Sequence, residues 1–136
     1  MILVDSNILM YAAGQNHPNK SDSVRLLERI AEGELEAAID AEVLQEVLHR
    51  YRALNRWKEG RKVYDSARRI FPVVISITAD VMDLCRALMD EYPKLMARDA
   101  LHAAVVHLNG FESMCSYDKD FDVIRDIERL EPRVFL

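Results

Sequence analysis

The chain has little of what staples, anchors or unravels a small protein. Its two cysteines, Cys85 and Cys115, are far apart, and neither has a Cys or His neighbour at metal-site spacing. A disulfide framework and a zinc site are thereby excluded, and both thiols are expected to be buried. Only four glycines and four prolines occur, too few for a low-complexity or collagen-like chain. Gly14, Gly33, Gly60 and Gly110 form neither a G-x-G-x-x-G turn nor a P-loop, which argues against a nucleotide-binding protein. No apolar run approaches the roughly 20 residues that span a bilayer, and Met1 to Val4 meets Asp5 with no basic start or cleavage site. A soluble, cytoplasmic protein is expected. Its 136 residues suit one domain, residues 1–136, with a single well-buried core.

What is present is charge, unevenly placed. The net charge is −5, yet residues 49–69 hold eight basic side chains (Arg50, Arg52, Arg56, Lys58, Arg61, Lys62, Arg68, Arg69) against Glu59 and Asp65. That stretch is +6 and the remainder −11. The asymmetry suits a basic surface for a polyanion beside an acidic region that gathers cations, although a solvated helical face would look the same. Trp57, Tyr51 and Tyr64 interleave with the basic residues and are read chiefly as core or dimer packing, with base stacking as the alternative.

Hydrophobic periodicity predicts strands over residues 1–4, 35–39, 73–75 and 113–117, with 133–135 as a final edge strand. Helices are predicted over 8–13, 21–32, 41–54, 58–70, from Thr78 or Asp80 to 91, and 97–108, with a short helix over 121–124. Asp40 is a natural N-cap for the third helix, and Asn109-Gly110 a left-handed stop for the sixth. Strands alternating with helices imply βαβ units, hence an α/β fold whose parallel sheet is covered on both faces.

In such a sheet every strand ends at one edge, where ligands bind. Asp5 ends the first strand and Asp118 the fourth. Asp99 opens the helix before the fourth strand, and Glu46 lies about one and a half turns into the helix after the second. Carboxylates gathered in one cleft stay ionised together only if a cation neutralises them or they share protons. Oxygen-only ligation favours Mg²⁺ or Mn²⁺, and the matching chemistry is in-line attack on phosphorus by metal-activated water. Each acid also has a purely structural reading: Asp5 and Asp99 as helix caps, Asp118 as a turn residue, and Glu46 as a surface partner of Arg50. Independent capping, however, does not predict acids that face one edge.

Four segments resemble a known pattern. Val4-Asp5-Ser6-Asn7, Val43-Leu44-Gln45-Glu46-Val47-Leu48, Ala97-Arg98-Asp99-Ala100-Leu101-His102 and Ser116-Tyr117-Asp118-Lys119-Asp120-Phe121 look like the acidic motifs of the PIN domain, especially its VapC toxin group, in order and spacing over essentially the whole chain. The resemblance implies a three-layer α/β/α fold with a short central sheet of four to five parallel strands. It also implies a Mg²⁺- or Mn²⁺-dependent endoribonuclease with Asp5, Glu46, Asp99 and Asp118 as metal-binding, catalytic acids. Asn7 and Ser116 would orient those acids or a water, and Arg50, Arg56 and Arg61 are the candidate RNA contacts. A homodimer and a small antitoxin partner are implied as well.

The sequence departs from the pattern at position 40, where relatives usually carry Ser or Thr and this chain has Asp, read here as a cap. Glu42 rivals Glu46, whereas Asp120 and Asp122 compete less well with Asp118 because Ser-x-Asp-x-x-Phe selects the latter. His102 shares a helix face with Asp99 and is read as a packing or hydrogen-bonding residue, with substrate contact as the alternative. A dehalogenase-type phosphatase would want an Asp where Asn7 stands, and a receiver domain a late strand-end Lys. The remaining rival is a PIN-fold module that binds RNA or protein without cutting.

Overall fold

The structure is a computed structural model that describes residues 1–136. Five parallel strands form one sheet: β1 (Ile2–Val4), β2 (Ala37–Asp40), β3 (Val74–Ile75), β4 (Ser113–Cys115) and β5 (Arg129–Leu130), in the order β3-β2-β1-β4-β5. Six helices connect them: α1 (Ser6–Ala13), α2 (Lys20–Ala31), α3 (Ala41–Ala53), α4 (Trp57–Ile70), α5 (Ala79–Glu91) and α6 (Ala97–Asn109). Strand β1 occupies the centre, paired Ile2 to Ala37 on one side and Ile2 to Ser113 on the other.

The period-2 alternation of a strand sorts the core into two halves. Ile2 and Val4 pack with Ile8, Leu26, Val43, Val47 and Phe71 beneath α1 to α4, whereas Leu3 and Met114 pack with Val81, Cys85, Leu101, Val105 and Phe121 beneath α5 and α6. The result is the three-layer α/β/α arrangement. Phe71 and Phe121 anchor the two halves and are almost wholly buried, each contributing on the order of 1.5–3 kcal/mol by leaving water.

Local chemistry fixes the helix ends. Asp40 and Thr78 accept hydrogen bonds from Val43 N (3.0 Å) and Val81 N (3.3 Å), so Thr78 rather than Asp80 caps α5. Gly110 closes α6 in the left-handed region at φ 64°, where a side chain would be strained. Gly60 lets α4 cross α3: a Cβ there would lie 2.4 Å from the Cβ of Tyr51.

The predicted edge strand at 133–135 is corrected. Arg129–Leu130 pairs with β4 instead, while Pro132–Phe135 is a 3₁₀ turn with a proline in its first turn. Proline has no N–H to give to a ladder, so strand pairing stops before it. Other boundaries move by up to two residues: β2 begins at Ala37 rather than 35, and the short helix expected over 121–124 is a 3₁₀ turn over Lys119–Val123. Helix α1 starts at Ser6 because Asp5 caps it, and β4 ends at Cys115 because Ser116 and the residues after it turn into a side-chain network.

Candidate functional site

The carboxyl ends of β1, β2 and β4 meet at one edge of the sheet, and the predicted acids gather there. Asp5 leaves β1 and caps α1, its Oδ1 accepting from Ser6 N at 2.7 Å. Its Oδ2 accepts from the Ser116 hydroxyl at 2.6 Å and from Asn7 Nδ2 at 3.2 Å. Asn7 also donates to Ser116 Oγ at 3.0 Å, and that oxygen receives Asp118 N at 2.9 Å. One network thus ties the end of β1 to the turn after β4, across more than a hundred residues of sequence. Arg129 braces the same turn from β5, donating to the Ser116 carbonyl at 2.9 Å and to Asp122 at 2.8 Å. Asp122 is thereby occupied away from the other acids.

Asp5, Asn7, Glu46, Asp99 and Asp118 line one cleft of about 470 Å³, together with Ser6, Met96, Ala97 and Arg98. Carboxylate oxygens of Asp99, Asp118 and Asp120 lie within 4.8 Å of one another at its outer side. Partial burial and the charges of Asp118 and Asp5 push Asp99 up to about 6. Burial likewise raises Asp5, although His102 and Ser116 oppose it. Carboxylates raised by burial and by one another's charge are ones that a cation would help to stay ionised. Ser116 itself is fully buried behind Asp5 and orients it.

Glu46 is held on both oxygens: Oε2 accepts from the Ser6 hydroxyl, and Oε1 faces His102 Nε2 at 2.8 Å. The other ring nitrogen of His102 faces Asp40 Oδ2 at 2.6 Å. Burial alone would lower the His102 pKa, but the bonds to Asp40 and Glu46 outweigh it and hold the pKa well above the ordinary value. Burial of Glu46 is outweighed in turn by His102 and Ser6, so its pKa falls. With both nitrogens turned to carboxylates, His102 has no lone pair for a metal even though it lies within 4.8 Å of Asp5 and Glu46. The hydrogen-bonding reading of His102 therefore describes the structure, and the surface ion pair imagined between Glu46 and Arg50 does not. Glu42 lies outside the cleft, where burial and then the Glu46 charge raise its pKa.

A second cavity of about 570 Å³ adjoins the acidic one, sharing Ser6, Asn7, Glu46 and Arg98 with it. Arg50 and Arg56 line it, whereas the expected Arg61 sits exposed on α4 and lines neither cavity. Tyr51 and Tyr64 pack into or against the core, and Trp57 is partly exposed with the Arg52 guanidinium 4.4 Å above its ring. Sequence reasoning missed Ser6, Arg98 and the partnership of Asp40 with His102. Ser6 and Arg98 stand next to predicted acids, and the histidine interrupts an otherwise apolar stretch of α6. Both cysteines are buried free thiols.

The donor set is oxygen-rich and anionic, with Asp5 beside Glu46 in one group and Asp99 beside Asp118 and Asp120 in another, and carboxylates of this kind suit hard divalent cations. Comparison with known proteins points the same way. A family model described as "PIN domain" matches residues 2–127. The chain is 41% identical over 130 residues to Ribonuclease VapC13 of Mycobacterium tuberculosis, covering 96% of this chain and 99% of that one. It is 33% identical over 122 residues to Ribonuclease VapC23 of the same organism, covering 87% and 93%. Among solved structures, the sarcin-ricin loop cleaving toxin VapC20 of M. tuberculosis superimposes with a TM-score of 0.74 at 17% identity, over 94% of this chain and 98% of that one. VapBC2 of Rickettsia felis, bound to a DNA fragment from its promoter, gives 0.75 at 18%, over 96% and 98%.

Proposed function

The chain belongs to the PIN-domain family, and on that premise we propose that it is an endoribonuclease of the VapC type, the toxin of a toxin-antitoxin pair. The observation that carries this reading is the cleft into which Asp5, Glu46, Asp99 and Asp118 converge from four separate segments. Those four acids would hold Mg²⁺ or Mn²⁺. The chemistry such an ion would supply is a lowered water pKa, so that hydroxide is available as nucleophile near neutral pH, and neutralisation of charge on the phosphate.

The rest of the work falls to the chain's own groups. Ser116 and Asn7 fix the Asp5 carboxylate in one orientation, so its ligand oxygen needs no reordering when the site fills. Arg98, on the border of both cavities, and Arg50 and Arg56 in the adjoining one bind the phosphates of an RNA strand and lead it over the acids. A cytoplasmic location, a homodimer and a small antitoxin that covers the cleft belong to the same reading. No helix is long and apolar enough to cross a membrane.

The deciding experiment is cleavage of RNA by the purified protein in Mg²⁺ or Mn²⁺, with loss of activity in EDTA and in a folded Asp118→Asn variant. Equal cleavage by wild type and Asp118→Asn would assign the activity to a contaminant. RNA binding without any cleavage would favour the binding-module alternative.

A further inference from the structure

His102 is 1% exposed and Asp40 is 0% exposed, and nothing in metal binding or substrate contact requires either of them. Asp40 already has a sufficient task in capping α3 through Oδ1, to which Val43 N donates at 3.0 Å. A serine or threonine would cap as well. The second oxygen of Asp40 is what a hydroxyl cap lacks, and it is aimed at His102 Nδ1 at 2.6 Å, whose far nitrogen reaches Glu46 Oε1 at 2.8 Å. A neutral imidazole has one N–H, whereas two facing carboxylates call for two donors. The ring thus bridges the two carboxylates, one on each nitrogen.

We propose that Asp40 and His102 form a buried strut that positions Glu46: the strut locks the carboxylate on one oxygen while Ser6 locks the other, so that Glu46 is presented to the acidic cleft in a single rotamer. His102 is a positioning residue on this account, since it touches neither the ion nor the RNA. The inference rests on the metal-site reading above and deepens it by giving this chain a support for its second acid. A flexible side chain one and a half turns into α3 would otherwise have several rotamers to choose from.

The test is a double-mutant cycle between His102→Gln and Glu46→Gln in the full chain, read both as Mn²⁺ affinity by calorimetry and as kcat and KM for RNA cleavage. Loss of an outer partner of a metal ligand typically costs about 10–100-fold. The expected result is a loss of that size for His102→Gln in affinity and kcat, an unchanged KM, and less than about a twofold further effect once Glu46 is already Gln. Asp40→Ser is the companion variant, because it keeps the cap and removes only the strut. It should fold with its helix cap intact, melt below wild type because His102 loses a buried partner, and lose affinity and kcat as His102→Gln does. A His102→Gln loss that is undiminished in the Glu46→Gln background shows a general structural role and overturns the proposal. So does an Asp40→Ser variant with wild-type affinity and kcat. A wild-type chain that binds Mn²⁺ but does not cleave RNA overturns the nuclease reading alone, because the cycle is still read from affinity; one that takes no Mn²⁺ overturns both.

Discussion

Replacing Asp99 with Asn removes one negative charge from a crowded cleft, and the metal-free protein should become more stable as a result. Burial and the charges of Asp118 and Asp5 raise the Asp99 pKa from 3.8 to about 6 in the folded state. A carboxylate with a raised folded pKa binds more protons folded than unfolded. Between about pH 4 and 6 stability therefore falls as pH rises, and above that range the full cost of the ionised group is present. The whole shift corresponds to a ceiling of about 3 kcal/mol. Asp99 is only half-buried, and solvent screening trims the figure to about 1–2 kcal/mol. Asp99 also lies in the first turn of α6, where losing the negative charge forfeits about 0.3–1 kcal/mol of helix-dipole stabilisation. Burial and charge crowding together win by roughly 1 kcal/mol, equivalent to about 3–4 °C in a chain of this size. The assay is thermal unfolding in EDTA from about pH 4 to 8. The Asp99→Asn variant should match wild type at the acid end of that range and exceed it at the alkaline end. Adding Mn²⁺ should reverse the order, since a ligand at about a hundred times its Kd stabilises wild type by about 2.7 kcal/mol. A variant less stable than wild type at neutral pH without metal, or a gap independent of pH, would refute the idea that burial and neighbouring acids make an ionised Asp99 costly.

Two further outcomes follow from the geometry. Gly60→Ala drives a methyl to 2.4 Å from the Tyr51 Cβ, so α3 and α4 must separate; a loss of about 1–3 kcal/mol is expected in urea unfolding, and a neutral result would mean the two helices are loosely packed. Arg98→Ala combined with Arg50→Ala should weaken binding of a cleavage-resistant RNA most at low salt. Each lost phosphate contact should flatten the plot of log affinity against log salt by about 0.7, and a loss with an unchanged slope would show that these arginines do not meet phosphate.

The fold is largely legible in the sequence because its signals are local. Glycine and proline punctuation, capping residues and apolar periodicity set the elements, and the alternation of strand and helix implies a parallel sheet without any long-range information. The edge strand escapes such a reading because Arg129–Leu130 is two residues long and half-exposed, too short for a period to show. The four acids can be named from motif order, since strand ends in a parallel sheet share an edge. Asp40 and His102 are opaque for the opposite reason. They are 62 positions apart, and a lone histidine on an apolar helix face is compatible with ordinary packing until its neighbours are known. Arg61 stands out for its place in a basic run, but helix rotation points it away from both cavities, and Arg98, outside that run, is the arginine between them.

Strand β1 is at the centre of the sheet although it is synthesised before every other strand, and its partner β4 comes more than a hundred residues later. While the chain is still growing on a ribosome, Asp5 has neither Ser116 to hold it nor Asp118 beside it. The acidic cleft is therefore incomplete until β4 has emerged and docked, and a chain that stops short of that strand never assembles it.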